Sequence, residues 1–112
     1  MRRGEIRWCS LQPPDKRRPV VILTRNSAIG YLANLTVAPI TSTVRDIPTQ
    51  VHLTPEVDGV TAICAISLDN LQTISKRQIG PLIATLSLSK VEAVEAAIVF
   101  ALGMDTFVAR TF

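Results

Sequence analysis

Six short runs with the residue patterns of β-strands fill the first 74 residues of this 112-residue chain, and turn-forming residues separate them. The runs 5–11 and 49–54 alternate polar and apolar side chains, as half-buried strands do. The run 19–24 is instead apolar almost throughout, which predicts a strand buried on both faces. Pro39, inside the third run, indicates a bulge or a sheet edge. Strands this short and this closely spaced predict a small barrel or rolled sheet. The predicted strands are 5–11, 19–24, 35–40, 49–54, 61–66 and 70–74.

The hydrophobic period changes in the last fifth of the chain. Ser89 and Glu92 match the capping box that begins helices. Apolar residues then recur at helical spacing, and Gly103 stands where a C-terminal cap is expected. The face consists of Val91, Val94, Ile98, Ala101 and Leu102. We predict one domain with a barrel over about 1–86, a helix over about 89–102 and a short tail over 104–112.

The composition is that of a globular protein, with 47% hydrophobic and 19% charged residues. A chain of this length can bury a core without disulfides or metal ions. Its apolar runs fall far short of the roughly 20 residues that cross a bilayer. After Arg2 and Arg3, Glu5 and Arg7 interrupt the apolar run that a signal peptide requires. We therefore expect a cytoplasmic protein with no membrane partner.

Metal and cofactor chemistry has little support in the sequence. Two cysteines, Cys9 and Cys64, and one histidine, His52, cannot form a three- or four-ligand site by the usual spacings. No acidic cluster indicates magnesium, and no phosphate loop or dinucleotide fingerprint is present. We expect no metal and no cofactor, two core cysteines and an ordinary strand histidine. An enzyme built from this sequence must work through arginine, hydroxyl, acidic or backbone groups.

Positive charge is concentrated in one part of the chain. Residues 1–45 carry eight Lys/Arg and two acids, whereas residues 46–112 carry four Lys/Arg and seven acids. This asymmetry indicates an anionic partner, either nucleic acid or an acidic protein segment. Ordinary solvation of a small basic protein is the alternative.

Two segments carry groups that suit phosphate chemistry. Lys16, Arg17 and Arg18 precede Pro19 at the start of a predicted strand. An arginine fork matches two phosphate oxygens, and a residue before proline is held extended. The second segment, 41–43, places three hydroxyls at the end of another strand. Each segment alone is also compatible with an ordinary polar turn.

Taken together and in order, these segments resemble the MazF/PemK/Kid family of type II toxin–antitoxin toxins. The resemblance covers almost the whole chain, and its segments are specific as a set. They include Arg2-Arg-Gly-Glu-Ile-Arg-Trp8, Arg18-Pro-Val-Val-Ile-Leu23, Leu35-Thr-Val-Ala-Pro-Ile-Thr-Ser42, Pro48-Thr-Gln-Val51 and Leu68-Asp-Asn-Leu-Gln-Thr-Ile74.

The resemblance implies a small Src-homology-3-like β-barrel with a C-terminal helix, assembled as a homodimer. It also implies a metal-independent, sequence-selective endoribonuclease that cuts single-stranded RNA and inhibits translation and growth. In the family the 2′-hydroxyl attacks the phosphate and leaves 2′,3′-cyclic phosphate and 5′-hydroxyl ends. The family's catalytic residues fall on Arg18 and Thr41, and a cognate antitoxin with a disordered acidic segment neutralises the toxin.

Departures from the family pattern indicate a different cleavage preference. The loop 12–17 is short, Asp69-Asn70 replaces a common Glu-Gln pair, and Gln50 replaces a frequent histidine. Trp8 and Tyr31 are the candidates for stacking on bases, with Trp8 expected in the core. The predicted RNA-binding residues are Lys16, Arg17, Ser42, Thr43, Gln50, Asp69 and Asn70.

Two other functions remain open at this stage. The related CcdB toxins share the fold but bind DNA gyrase and have no nuclease activity, and one fold can carry unrelated functions. A regulatory barrel that binds nucleic acid without cutting it is also compatible with the short loop. Retention of both Arg18 and Thr41 favours the nuclease.

Overall fold

The computed structural model describes residues 1–11 and 17–105. The strands in this part of the chain are β1 (Glu5–Ser10), β2 (Arg17–Ile22), β3 (Asn34–Thr41), β4 (Gln50–Leu53), β5 (Cys64–Ser67), β6 (Gln72–Ser75) and β7 (Ile79–Thr85). The α-helices are α1 (Asn26–Ile29), α2 (Pro55–Asp58) and α3 (Leu88–Ala101), and a 3-10 turn covers Lys76–Gln78.

All strand pairs are antiparallel, and the sheet order is β4-β5-β3-β2-β1-β7, with β6 also paired to β3. The sheet curls into a half-barrel, and the C-terminal helix α3 contributes residues to its hydrophobic core. The predicted fold is therefore confirmed. All six predicted strands are present, although β5 begins three residues later than predicted.

The sequence patterns missed β7, the edge strand that pairs with β1. Its residues are half-buried or exposed on both faces, so no period-2 pattern marks it. It also contains Gly80 and Pro81. Both residue types are depleted in strands, and proline within a sheet is largely confined to edge strands. An edge strand tolerates both.

Strand β3 changes its partner near its middle. Residues Asn34–Val37 pair with β6, whereas Ile40 and Thr41 pair with β5. Pro39 lies between these two segments, where it need not donate a ladder hydrogen bond on that side. Pro39 therefore lies at a gap in the pairing on one side of β3, while on the other side it pairs with Val20 of β2. The loop 68–71 joins β5 to β6.

Helix α3 covers the main hydrophobic core. Val94 and Ala97 are buried there, with Val91, Ile98 and Ala101 partly buried against it. Leu102, predicted on the same face, is instead 58% exposed because the helix has ended at Ala101.

The ends of α3 test the predicted caps. The N-cap is Ser87, whose side chain accepts a hydrogen bond from Lys90 N, and not Ser89, which lies within the first turn. The prediction of Ser89 and Glu92 as the capping box was wrong, because β7 ends at Thr85 and the helix already begins at Leu88. Gly103 has φ +72° and its N–H donates to Phe100 O, so the predicted C-terminal cap is confirmed.

No helix among the described residues is long and apolar enough to cross a membrane.

Candidate functional site

The pairing of β2 with β3 brings Arg18 and Thr41 together. Val20 pairs with Pro39, and the same antiparallel register continued by two residues sets Arg18 beside Thr41. Side chains two residues apart on a strand share a face. Arg18 therefore shares the face of Val20, and Thr41 shares the face of its partner Pro39, so Arg18 and Thr41 project on the same side. Both residues line each of two adjoining clefts.

The first cleft, called here the polar cleft, has a volume of about 490 Å³. It lies beside Pro39, where β3 changes partner. Six of the predicted site residues line it: Arg18, Thr41, Thr43, Gln50, Asp69 and Asn70. It also contains Arg45, Ser67 and Gln72, which the sequence analysis did not single out.

The second cleft, called here the apolar cleft, has a volume of about 450 Å³. The predicted residues Arg17 and Ser42 line it, together with the apolar side chains of Ile40, Val60 and Ile63. Because the two clefts share Arg18, Thr41 and Thr43, they form one groove with these three residues between its halves.

Arg17 and Arg18 both line the apolar cleft, but of the two only Arg18 also lines the polar cleft. The Arg17 guanidinium lies 4.4 Å from the centre of the Trp8 ring, a cation–π contact. Trp8 is half-buried at this contact, so the expectation that it belongs to the buried core was wrong. Arg18 is exposed, and among the described residues its guanidinium makes no ion pair or hydrogen bond, which leaves it available to an anion.

The Thr41 hydroxyl has a defined orientation. Its oxygen accepts a hydrogen bond from Thr43 N at 3.0 Å. The hydroxyl proton makes no hydrogen bond among the described residues and can be donated to a ligand in the groove.

Asp69 and Asn70 are held in place by hydrogen bonds at the far side of the polar cleft. The carboxylate of Asp69 accepts from the Thr49 hydroxyl at 2.6 Å. Asn70 Nδ2 donates to Ser67 Oγ at 2.7 Å. Each side chain keeps further acceptor oxygens, which suit the donor groups on base edges.

The loop 42–49 is bound to β4 by side chains. Gln50 Oε1 accepts from Arg45 N at 2.7 Å, and Gln50 Nε2 donates to Thr43 O at 3.1 Å. His52 Nε2 lies 2.6 Å from Arg45 O. The amide of Gln50, predicted to bind RNA, therefore holds the loop as well as lining the cleft.

The remaining candidates lie elsewhere. Lys16 and most of the loop 12–17 fall outside the described residues, as does the tail beyond Asp105. Tyr31 is 78% exposed but lines neither cleft.

Burial and the nearby Asp58 carboxylate raise the pKa of the Cys64 thiol in the apolar cleft, so it is a poor nucleophile at neutral pH. Across residues 1–11 and 17–105, no three His, Cys, Asp or Glu residues are grouped so that they could hold a metal ion.

Comparison with known proteins supplies the family. A family model described as "PemK-like, MazF-like toxin of type II toxin-antitoxin system" matches residues 2–102. Endoribonuclease MazF3 of Mycobacterium tuberculosis is 43% identical over 95 residues, which cover 85% of this chain and 91% of the relative. Endoribonuclease MazF of Staphylococcus epidermidis is 28% identical over 114 residues, covering 96% and 95%.

Solved structures are similar over nearly the same length. The Mycobacterium tuberculosis toxin MazF-mt6 has a TM-score of 0.79 at 40% identity, covering 88% of this chain and 96% of that one. A mycobacterial endoribonuclease in complex with its cognate antitoxin has a TM-score of 0.81 at 25% identity, covering 93% and 96%.

Proposed function

The chain belongs to the PemK-like, MazF-like toxin family of type II toxin–antitoxin systems, and we propose that it is an endoribonuclease that cuts single-stranded RNA in its groove. The observation that carries the proposal is the pairing of an unpartnered arginine, Arg18, with an oriented hydroxyl, Thr41, where the two clefts meet. The named relatives are endoribonucleases, which favours this function over gyrase binding.

The 2′-hydroxyl gives its proton to a water molecule and its oxygen bonds to phosphorus as the bond from phosphorus to the 5′-oxygen breaks. The leaving 5′-oxygen takes up a proton from water. The products are a 2′,3′-cyclic phosphate and a 5′-hydroxyl. Negative charge builds on the non-bridging oxygens during the attack, and a fixed guanidinium at Arg18 stabilises it. The Thr41 hydroxyl donates a hydrogen bond to the phosphate or to the leaving 5′-oxygen.

Sequence selectivity follows from the unequal halves of the groove. Asp69 and Asn70 present fixed polar groups in the polar cleft, where they would hydrogen-bond base edges. The apolar cleft offers contact area beside the Trp8–Arg17 pair, and Ser42 and Thr43 supply further hydroxyls. Lys16 and Gln50 complete the proposed RNA-binding set.

We also propose that the chain acts as a homodimer in the cytoplasm and that a cognate antitoxin blocks the groove. The structure of a mycobacterial endoribonuclease with its cognate antitoxin supports the existence of such a partner for this chain. An acidic segment that is disordered when free would bind the cations of the groove.

The test is incubation of the purified protein with a long natural RNA in excess chelator, followed by mapping of the cut ends. We expect discrete cuts with 5′-hydroxyl ends. Arg18→Ala should cut at least about 10²-fold more slowly, the scale of losing one transition-state donor. Arg18→Lys should recover only part of the rate, because lysine lacks the fork that matches two phosphate oxygens.

Arg77→Ala is the matched control, since Arg77 is an exposed arginine of the 3-10 turn that lines neither cleft. Equal cutting by wild type and Arg18→Ala would point to a contaminating nuclease and refute the proposal. Loss of cutting in chelator would refute the metal-independent chemistry.

A further inference from the structure

Arg45 is an exposed cation in the polar cleft for which the chemistry proposed above has no role. It lies in the loop 42–49, which has no regular secondary structure at this position. Two side chains of β4 nevertheless bond both of its backbone polar groups. Gln50 Oε1 accepts from Arg45 N at 2.7 Å, and His52 Nε2 lies 2.6 Å from Arg45 O. Because a carbonyl only accepts, His52 Nε2 carries the proton in this contact.

The same hydrogen bonds connect Arg45 to the reactive centre. Gln50 Nε2 donates to Thr43 O, and Thr43 N donates to the Thr41 hydroxyl. The loop backbone is thus held by four hydrogen bonds, two at Thr43 and two at Arg45. These hydrogen bonds fix the backbone of Arg45. Less conformational entropy is therefore lost when its side chain binds a ligand.

The charge of Arg45 is not compensated inside the cleft. No ion pair or hydrogen bond of its guanidinium is found within residues 1–11 and 17–105. Asp46, the next residue, lines a separate groove between the loop and α3. Asp69 is the one acidic residue among the described residues that line the polar cleft. It forms no ion pair with Arg45, and its carboxylate accepts a hydrogen bond from the Thr49 hydroxyl.

We propose that Arg45 binds a second backbone phosphate of the RNA, next along the strand to the phosphate at Arg18 and Thr41. Gln50 and His52 are then positioning residues for Arg45. This inference rests on the proposed endoribonuclease function. Phosphate contacts carry no sequence information, but they set the register of a strand. Two fixed phosphates would hold the intervening nucleotide in register with Asp69 and Asn70.

The test uses a short RNA that carries a cut site mapped as above, with a 2′-O-methyl group that prevents attack on the scissile phosphate. Its Kd is measured over a range of salt concentrations. We expect Arg45→Ala to weaken binding roughly tenfold at low salt. The slope of log Kd against log salt should fall by about 0.7, the value for one phosphate contact on a single strand. Arg45→Lys should keep that slope.

The positioning role predicts a non-additive pair of substitutions. Gln50→Ala should weaken binding and reduce the salt slope, and adding it to Arg45→Ala should cause little further reduction of the slope. A merely structural role for Gln50 would leave the salt slope at its wild-type value. Arg25→Ala is the matched control, because Arg25 is exposed before α1 and lines neither cleft.

A second measurement locates the phosphate. Single neutral methylphosphonates are placed in turn along the same RNA. One replacement next to the scissile position should weaken wild-type binding and leave Arg45→Ala binding unchanged. If Arg45→Ala matches Arg25→Ala, or if every replacement weakens wild type and Arg45→Ala equally, the second phosphate site is refuted while RNA cutting stands. If wild type neither cuts nor binds RNA, the proposed function fails and this inference fails with it.

Discussion

Replacing Thr41 with valine removes one hydroxyl and keeps the shape of the side chain. The hydroxyl has two roles in the proposed site: its oxygen accepts from Thr43 N at 3.0 Å, and its proton is free to be donated to the RNA. Losing a donor to the transition state costs about 10²–10³-fold in rate, equivalent to about 2.7–4 kcal/mol. Losing the acceptor costs less than about 1 kcal/mol of folding stability, because water can replace it at an exposed N–H.

The assay is the initial rate of cleavage of a short RNA carrying the mapped cut site, in chelator, beside thermal unfolding by circular dichroism. We expect Thr41→Val to cut at least about 10²-fold more slowly with nearly unchanged unfolding. Thr41→Ser keeps the hydroxyl and should retain most of the rate.

Thr43→Val is the matched control for Thr41→Val, since it removes a neighbouring hydroxyl from the same cleft but keeps the backbone N–H that bonds Thr41. It should lose less than about tenfold, as expected of a ground-state contact. Equal losses in Thr41→Val and Thr43→Val, or a Thr41→Val rate close to wild type, would refute the assignment of Thr41 as a catalytic residue.

Two further predictions concern the frame that holds the site. Gly4 has φ +92°, and a Cβ there would lie 3.0 Å from Val91 Cγ2 of α3, so Gly4→Ala should lower the free energy of unfolding by about 1–3 kcal/mol. Urea unfolding measures this loss, with Gly30→Ala as control because no atom lies within 4 Å of a Cβ at Gly30. An equal loss of stability in Gly30→Ala would contradict the prediction. Although burial raises the pKa of Glu5, hydrogen bonds from Arg7 and from Arg2 N, with the charge of Arg7, lower it overall from its ordinary value of 4.5. The stability that ionised Glu5 contributes is therefore complete above that value and lost as pH falls through the lower folded pKa. The measurement is the free energy of unfolding of wild type and of Glu5→Gln at descending pH. Their difference should shrink below about pH 4.5, and a difference that stays constant would contradict the assignment. Glu92→Gln, at an exposed position, is the control.

Side-chain patterns predicted most of the fold because burial of one face or of both faces leaves a recognisable pattern in the sequence. The two-sided apolar run 19–24 became β2 and the helical spacing near Val94 became α3. Periodicity fails where neither face is fully buried, as in β7, and cap positions depend on where the preceding strand ends, as at Ser87.

The candidate site divides in the same way. The chemistry of Arg18-Pro19 and of the hydroxyl segment 41–43 was apparent from residue types, and so was their resemblance to a toxin family. Arg45 had no such mark, because its place in the cleft depends on the side chains of Gln50 and His52.

The sequence by itself determined the number and kind of most elements, the side-chain groups available for phosphate chemistry and the family. Only the tertiary structure decided which of these groups share a groove. Arg18 and Thr41 are far apart along the chain and meet through the register of β2 against β3. That register depends on which residues of each strand pack in the core, a property of the assembled sheet that no single segment contains.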